Sequence, residues 1–166
     1  MNNLVERICG HFRRRSQKEK WAFLWRTWLE AVALAYLVQN LAQVIAPAAP
    51  RTDLMNLAPV ELIAMVLVIG PLFETLAFQC LPWEFAKSLS VRRSIRLAFS
   101  VIPFALAHRF AGFPTVVSAG LVGGGYFAFT YERWRKESLF VAVLMTFLLH
   151  SSFNLVGVLG MLLLPH

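Results

Sequence analysis

The sequence has few cysteines, and this scarcity argues against two classes of protein. Its 166 residues contain only Cys9 and Cys80, which form neither a C-x-x-C pair nor a disulfide framework. The sequence therefore disfavours a cysteine-ligated structural metal and a small secreted fold held by disulfides, and we expect two unpaired thiols. The H-E-x-x-H motif of helical zinc proteases is also absent.

Acidic residues are scarce as well, with nine Asp and Glu against 16 Lys and Arg, which gives a formal net charge of +7. Nucleic-acid binding would require these cations on one soluble face, but they lie in short segments between apolar runs. Hydrophobic residues make up 58% of the chain, and the mean hydropathy is +0.60. The composition predicts a polytopic membrane protein that contacts the lipid bilayer, with no nucleic-acid partner.

The apolar runs predict an all-α fold with about five transmembrane helices. Residues 1–20 precede them as a basic cytoplasmic arm or a helix that lies on an anionic membrane surface. Residues 21–166 then form one helical domain. A cleaved signal peptide is a second interpretation of the first run. The runs are Trp21 to Ile45, Ala58 to Leu81, Leu97 to about Phe110, Thr115 to Tyr131 and Leu139 to Leu164.

The distribution of basic residues predicts the orientation of these helices. Fourteen of the 16 Lys and Arg residues lie in three regions: the amino-terminal region up to Arg26, the loop between the second and third runs, and the loop between the fourth and fifth runs. Only Arg51 and Arg109 lie on the other side. By the positive-inside rule, the amino terminus is cytoplasmic and the carboxyl terminus is outside.

Three of the runs carry polar side chains. Glu74 lies in the second, where an ionisable group costs roughly 2.5 kcal/mol or more on insertion scales and is rare without a function. The third carries Phe104 and His108, and the fifth carries His150 and Asn154. Residues four apart share a helix face, so each pair can point toward one site. Distances of roughly 10 to 17 Å from the predicted cytoplasmic helix ends place this site in the cytoplasmic half of the membrane.

Two features of the sequence concern helix packing. Pro71 removes one backbone hydrogen bond and predicts a kink just before Glu74. Gly120 and Gly124 form a small-xxx-small face that allows close helix approach. This face can serve packing within the chain or between copies, so the oligomeric state stays open.

The ordered motifs E-T-x-x-x-Q, F-x-x-x-H and H-x-x-x-N on three membrane helices resemble the CAAX protease and bacteriocin-processing (CPBP) family. The resemblance covers about Ala58 to Leu164. The family's first motif usually reads E-E-x-x-x-R, so this chain departs from it at Thr75 and Gln79. These positions are helical neighbours, where the family's second Glu and Arg could pair. Replacing both together leaves a hydroxyl and an amide that can hydrogen-bond, and no stranded charge.

The resemblance implies that the chain hydrolyses a peptide bond of a peptide or protein in or at the membrane by a glutamate-dependent mechanism. Glu74 and His108 would activate a water molecule. His150 and Asn154 would donate hydrogen bonds to the oxyanion of the tetrahedral intermediate. The location implied is a prokaryotic cytoplasmic (inner) membrane. The remaining motif residues would support the site or shape its cavity, namely Thr75, Gln79 and Phe104.

Other interpretations use the same residues. No cofactor is expected, but a zinc ion bound by Glu74, His108 and His150 is an alternative, because two histidines and a glutamate can form an open zinc site. The missing second Glu and Arg also fit a non-catalytic membrane partner, such as a bacteriocin-immunity or scaffolding protein. A small transporter or proton channel is a third interpretation, although the sequence shows no internal repeat.

Overall fold

The computed structural model describes residues 20–47 and 58–163, and its regular elements in these ranges are all helical. The predicted all-α fold is confirmed. The amino-terminal basic arm and most of the loop after the first helix lie outside the described residues. The five main helices are α1 (Lys20–Ile45), α2 (Pro59–Ser88), α3 (Arg93–Ala107), α4 (Phe113–Arg135) and α5 (Leu139–Leu163).

Four of these helices, α1, α2, α4 and α5, are long and apolar enough to cross a membrane, by length and composition. The chain is thus a polytopic membrane protein, as predicted. The predicted third span corresponds to α3, which has only 15 residues and continues as a 3-10 turn, His108–Ala111. Together α3 and this turn rise about 30 Å, close to the thickness of the hydrocarbon core.

Helix α2 is longer than the sequence predicted. The apolar run was expected to end at Leu81, but the helix continues to Ser88. A π-helical turn, Thr75–Cys80, precedes Pro82, which lies in the first turn of the next α-helical segment. A proline is tolerated in the first turn because the missing N–H would have no α-helical partner there.

The extended α2 changes the position of Glu74 along its helix. Glu74 is the sixteenth of the 30 residues of α2, and His150 is the twelfth of the 25 residues of α5. Both therefore lie near the middle of their helices, whereas His108 follows the last residue of α3. That the site lies in the cytoplasmic half of the membrane stays a prediction.

The core consists of two apolar clusters at different heights, and their residues show that successive helices alternate in direction. The basic-end cluster contains Phe23, Cys80, Trp83, Tyr131, Trp134, Ala142 and Met145. The site-end cluster contains Phe104, Phe127 and Leu149, packed with Leu24, Trp28, Phe78, Tyr126 and Phe153. Cations lie on the aromatic rings of the first cluster, with Arg96 5.2 Å from the Trp83 ring centre. The positive-inside prediction assigns this end to the cytoplasmic face.

Helix α4 lies at the centre of the bundle and packs against α1, α3 and α5. Half of the residues in its apolar 18-residue stretch are buried inside the bundle, against 17–28% in the corresponding stretches of α1, α2 and α5. A Cβ atom at Gly120 would lie 2.7 Å from the Cα of Ala105, and one at Gly124 would lie 2.7 Å from Cδ1 of Phe104. The predicted small-residue face therefore packs within the chain, against α3.

Candidate active site

Glu74 and His150 meet at the middle of the bundle. The Nε2 atom of His150 lies 3.5 Å from the Oε2 atom of Glu74. The His150 side chain is only 4% exposed, whereas that of Glu74 is 33% exposed. The imidazole also stacks on the ring of Phe127, with 4.2 Å between the ring centres. A buried histidine, held flat against an aromatic ring, thus presents its edge to a carboxylate that is accessible from outside the bundle.

Phe104 packs between the two histidines of the motifs. Its ring centre lies 4.6 Å from that of His108 and 5.7 Å from that of His150. The side chain is 1% exposed and lies directly against Gly124, where any larger residue would displace it. Phe104 therefore fixes the spacing of the two imidazoles, and its role in shaping a substrate cavity stays a prediction.

The local backbone determines which nitrogen of His108 carries a proton. Its Nδ1 atom lies 2.8 Å from the carbonyl oxygen of Phe104. A carbonyl only accepts hydrogen bonds, so Nδ1–H is the donor, and in a neutral ring Nε2 carries the lone pair. The Phe104 carbonyl accepts this bond where α3 tightens into a 3-10 turn, because the backbone N–H of His108 bonds to Ala105 and Leu106 instead.

Asn154 lies one turn after His150 and bonds to the backbone of α2. Its Nδ2 donates a hydrogen bond of 3.0 Å to the carbonyl oxygen of Val66. That carbonyl receives no bond from the following turn, because Gly70 N–H bonds to Met65 and Pro71 has no N–H. Val66 lies in an earlier π-helical turn of α2, Ala64–Ile69. The side chain of Asn154 thus satisfies an acceptor that Pro71 and this turn leave open. One of its two N–H groups is engaged in this contact.

Thr75 and Gln79 lie inside the bundle, at 0% and 1% exposure. The Thr75 hydroxyl and both polar atoms of the Gln79 amide make no hydrogen bond within the described part of the chain. Both groups can form hydrogen bonds, but among the described residues the two side chains do not bond to each other or to Glu74. The reason is that both point into the packed interior, while Glu74 points to its edge.

The structure thus brings Glu74, His150, Phe104 and His108 into one connected set. Among the contacts of Glu74 is the one with His150, while the pairing of Glu74 with His108 that the resemblance implies stays a prediction.

Residues 20–47 and 58–163 contain no group of three or more His, Cys, Asp or Glu side chains arranged to hold a metal ion. The zinc alternative stays untested.

The sequence did not indicate two of the contacts at this site. Phe127 was not recognised as the residue that stacks on His150, although it lies three positions after Gly124 and so shares the same helix face. The Val66 carbonyl was also missed, because a free backbone acceptor appears only once the π-helical turn is known.

Comparison of the chain with protein-family models, with curated proteins and with solved structures finds no match. The resemblance to the CAAX protease family therefore depends on the motif residues themselves.

Proposed function

We propose that this chain is an intramembrane endopeptidase that hydrolyses a peptide bond of a membrane-associated peptide or protein. The observation that carries this proposal is the contact between Glu74 and the buried His150 at the middle of long apolar helices. A carboxylate inside such a helix is rare without a function, and a histidine beside it can donate a hydrogen bond to a group that binds at the carboxylate.

In the proposed mechanism, Glu74 accepts a proton from a bound water molecule as the water oxygen attacks the scissile carbonyl carbon. The Nε2 lone pair of His108 accepts a hydrogen bond from the same water. His150 donates from Nε2 to the oxyanion, and Asn154 donates through the N–H that is not engaged by Val66. When the C–N bond breaks, Glu74 returns its proton to the leaving amine.

The surroundings of Glu74 favour a substrate that arrives from the bilayer. Glu74 is one-third exposed, and the residues before it, Leu72 and Phe73, expose apolar side chains at 42% and 67%. An extended apolar segment can therefore lie along this side of α2 and bring its backbone to the carboxylate. Because hydrocarbon excludes water, the charged and hydrogen-bonding groups of the site act more strongly than they would in solution.

Cleavage by the purified chain tests the proposal. The protein is reconstituted in liposomes with membrane proteins extracted from cells that express it, and new amino termini are identified by chemical labelling and mass spectrometry. We expect a set of new termini with the native chain that is absent with Glu74→Gln. Glu61→Gln is the matched control, because Glu61 lies on the same helix, is exposed and caps the backbone N–H of Ala58.

Two results would overturn the proposal. One is a set of new termini that is the same for the native chain and for folded Glu74→Gln. The other is a native chain that yields no termini beyond those of empty liposomes, which would favour the non-catalytic membrane partner.

A further inference from the structure

Each of the five helices buries at least one hydroxyl or amide side chain inside the bundle. One such residue on each helix lies between the two apolar clusters, and these five are 1% exposed or less. Their positions along the helices place them at one level, between the basic-end and site-end clusters. We call this set the polar layer, and it consists of Thr27, Gln79, Ser100, Thr130 and Thr146.

The order of residues along each helix establishes this level. On α1, Thr27 lies between Phe23 of the basic-end cluster and Trp28 of the site-end cluster. Because successive helices alternate in direction, the chain meets the basic-end cluster first on one helix and the site-end cluster first on the next. On every helix the polar residue lies between the residues of the two clusters. The flanking residues are Phe78 and Cys80 for Gln79, Leu97 and Phe104 for Ser100, Phe127 and Tyr131 for Thr130, and Met145 and Leu149 for Thr146.

The polar atoms of this layer make no hydrogen bond to any of the residues that the structure describes. Buried polar atoms nearly always have a partner, either protein or ordered water, because an unpaired one loses its hydration without compensation. Five such residues at one level, on five helices, call for a common explanation.

We propose that ordered water molecules occupy the polar layer and bridge its side chains. A buried water molecule needs two to four polar partners, and this layer supplies them in both kinds. Each hydroxyl both donates and accepts, while the Gln79 amide donates through Nε2 and accepts through Oε1. Acidic and basic side chains are absent from the layer, which therefore suits neutral water and not an ion.

The layer also reaches toward the candidate active site. Thr75 lies four residues before Gln79 on the same face of α2, is fully buried, and has an equally unpaired hydroxyl within the described chain. Thr75 directly follows Glu74. This part of the inference rests on the proposed function: the layer supplies the water that hydrolysis consumes, from inside the protein and not from the lipid side.

Replacing hydroxyls by methyl groups tests the layer without any substrate. Threonine and valine have nearly the same shape, so Thr130→Val and Thr146→Val remove a hydrogen-bonding group without opening a cavity. We expect each variant of the full chain in lipid nanodiscs to unfold about 2–4 °C below the native chain, because the bridging water loses a partner. We expect the double variant to lose less than the sum of both, because the first substitution already breaks the shared water bridge.

Thr115→Val is the matched control. The Thr115 hydroxyl donates to the carbonyl of Ala111, in the turn just before α4, so its removal involves no water and changes the midpoint by about 1 °C or less. Higher midpoints for Thr130→Val and Thr146→Val would mean that the hydroxyls have no partner and would overturn the proposal. Changes that are additive and no larger than that of Thr115→Val would mean that the hydroxyls of Thr130 and Thr146 bond to backbone carbonyls of their own helices. This result would also overturn the proposal.

The role in hydrolysis has a separate test. Gln79→Leu removes the largest water-binding group of the layer, and we expect at least a tenfold slower cleavage with an unchanged KM. Unchanged cleavage by Gln79→Leu would overturn the supply of water but not the hydrated layer. If no cleavage depends on Glu74, the proposed function fails, while the unfolding midpoints still report on the layer.

Discussion

Carboxylates at the basic end of the helix bundle and at the candidate active site have different partners. At the basic end, acidic groups are paired with guanidinium groups: Arg135 contacts both oxygens of Glu84, at 2.6 and 3.1 Å, and Arg93 contacts both oxygens of Glu132, at 2.6 and 2.7 Å. The hydroxyl of Tyr131 also donates to Glu84. At the site, Glu74 meets an imidazole at 3.5 Å.

This difference separates a structural carboxylate from a candidate catalytic one. A guanidinium group stays protonated at all ordinary pH values, so its bidentate pairs are fixed. An imidazole makes no such fixed bidentate pair with a carboxylate, so a carboxylate beside it stays able to take part in proton transfer. Both kinds of carboxylate occur on α2, ten residues apart. They allow the comparison to be tested within one helix.

The largest effect is expected from Glu74→Gln. The amide keeps the size of the side chain but cannot accept a proton, so we expect cleavage to fall by about 100-fold or more. The free energy of unfolding should change little, because the amide has the same size and can still accept a hydrogen bond from Nε2 of His150. Cleavage rates and unfolding in lipid nanodiscs, measured on the same preparation, check both expectations.

Glu84→Gln is the opposite case. It leaves Arg135 partly buried without its anionic partner, so we expect a loss of about 2 kcal/mol in unfolding free energy, with cleavage by the folded protein unchanged. If Glu84→Gln stops cleavage in a folded protein, or if Glu74→Gln destabilises as much as Glu84→Gln, the distinction between the two ends is wrong.

The sequence was sufficient to predict the fold class, because long apolar runs indicate helices. A spacing of four also indicated that His150 and Asn154 share a face of one helix, while their roles in a site stay predictions. The length of α2 could not be predicted, since Pro82 normally ends a helix and the π-helical turn before it, Thr75–Cys80, cannot be recognised from residue types. The position of Glu74 at the middle of α2 was therefore not foreseen. The contact between Asn154 and Val66 was missed because it depends on the other π-helical turn, Ala64–Ile69.

The contact between Asn154 and Val66 leads to the next prediction. Asn154→Leu removes the donor and leaves the Val66 carbonyl unpaired, which we expect to lower the unfolding free energy by about 1–3 kcal/mol. Pro71→Ala restores a backbone N–H near that carbonyl. In a double-mutant cycle, Asn154→Leu should therefore destabilise the Pro71→Ala background by about 1 kcal/mol less than the native one. Equal losses in both backgrounds would show that the proline does not create the need for Asn154.

The smallest effect concerns the spacing of the two histidines. A Cβ atom at Gly124 would lie 2.7 Å from Phe104, whereas one at Gly125 meets nothing within 4 Å. Gly124→Ala should therefore displace the Phe104 ring, lower the unfolding free energy by about 1–2 kcal/mol and slow cleavage about tenfold, because Phe104 separates His108 from His150. Gly125→Ala adds the same methyl group on the same helix and should stabilise by up to about 1 kcal/mol. A loss of stability in Gly124→Ala without slower cleavage would mean that the packing of Phe104 against the histidines stabilises the fold but is not needed for cleavage. The basic end and the site end would then differ only in how their carboxylates are paired.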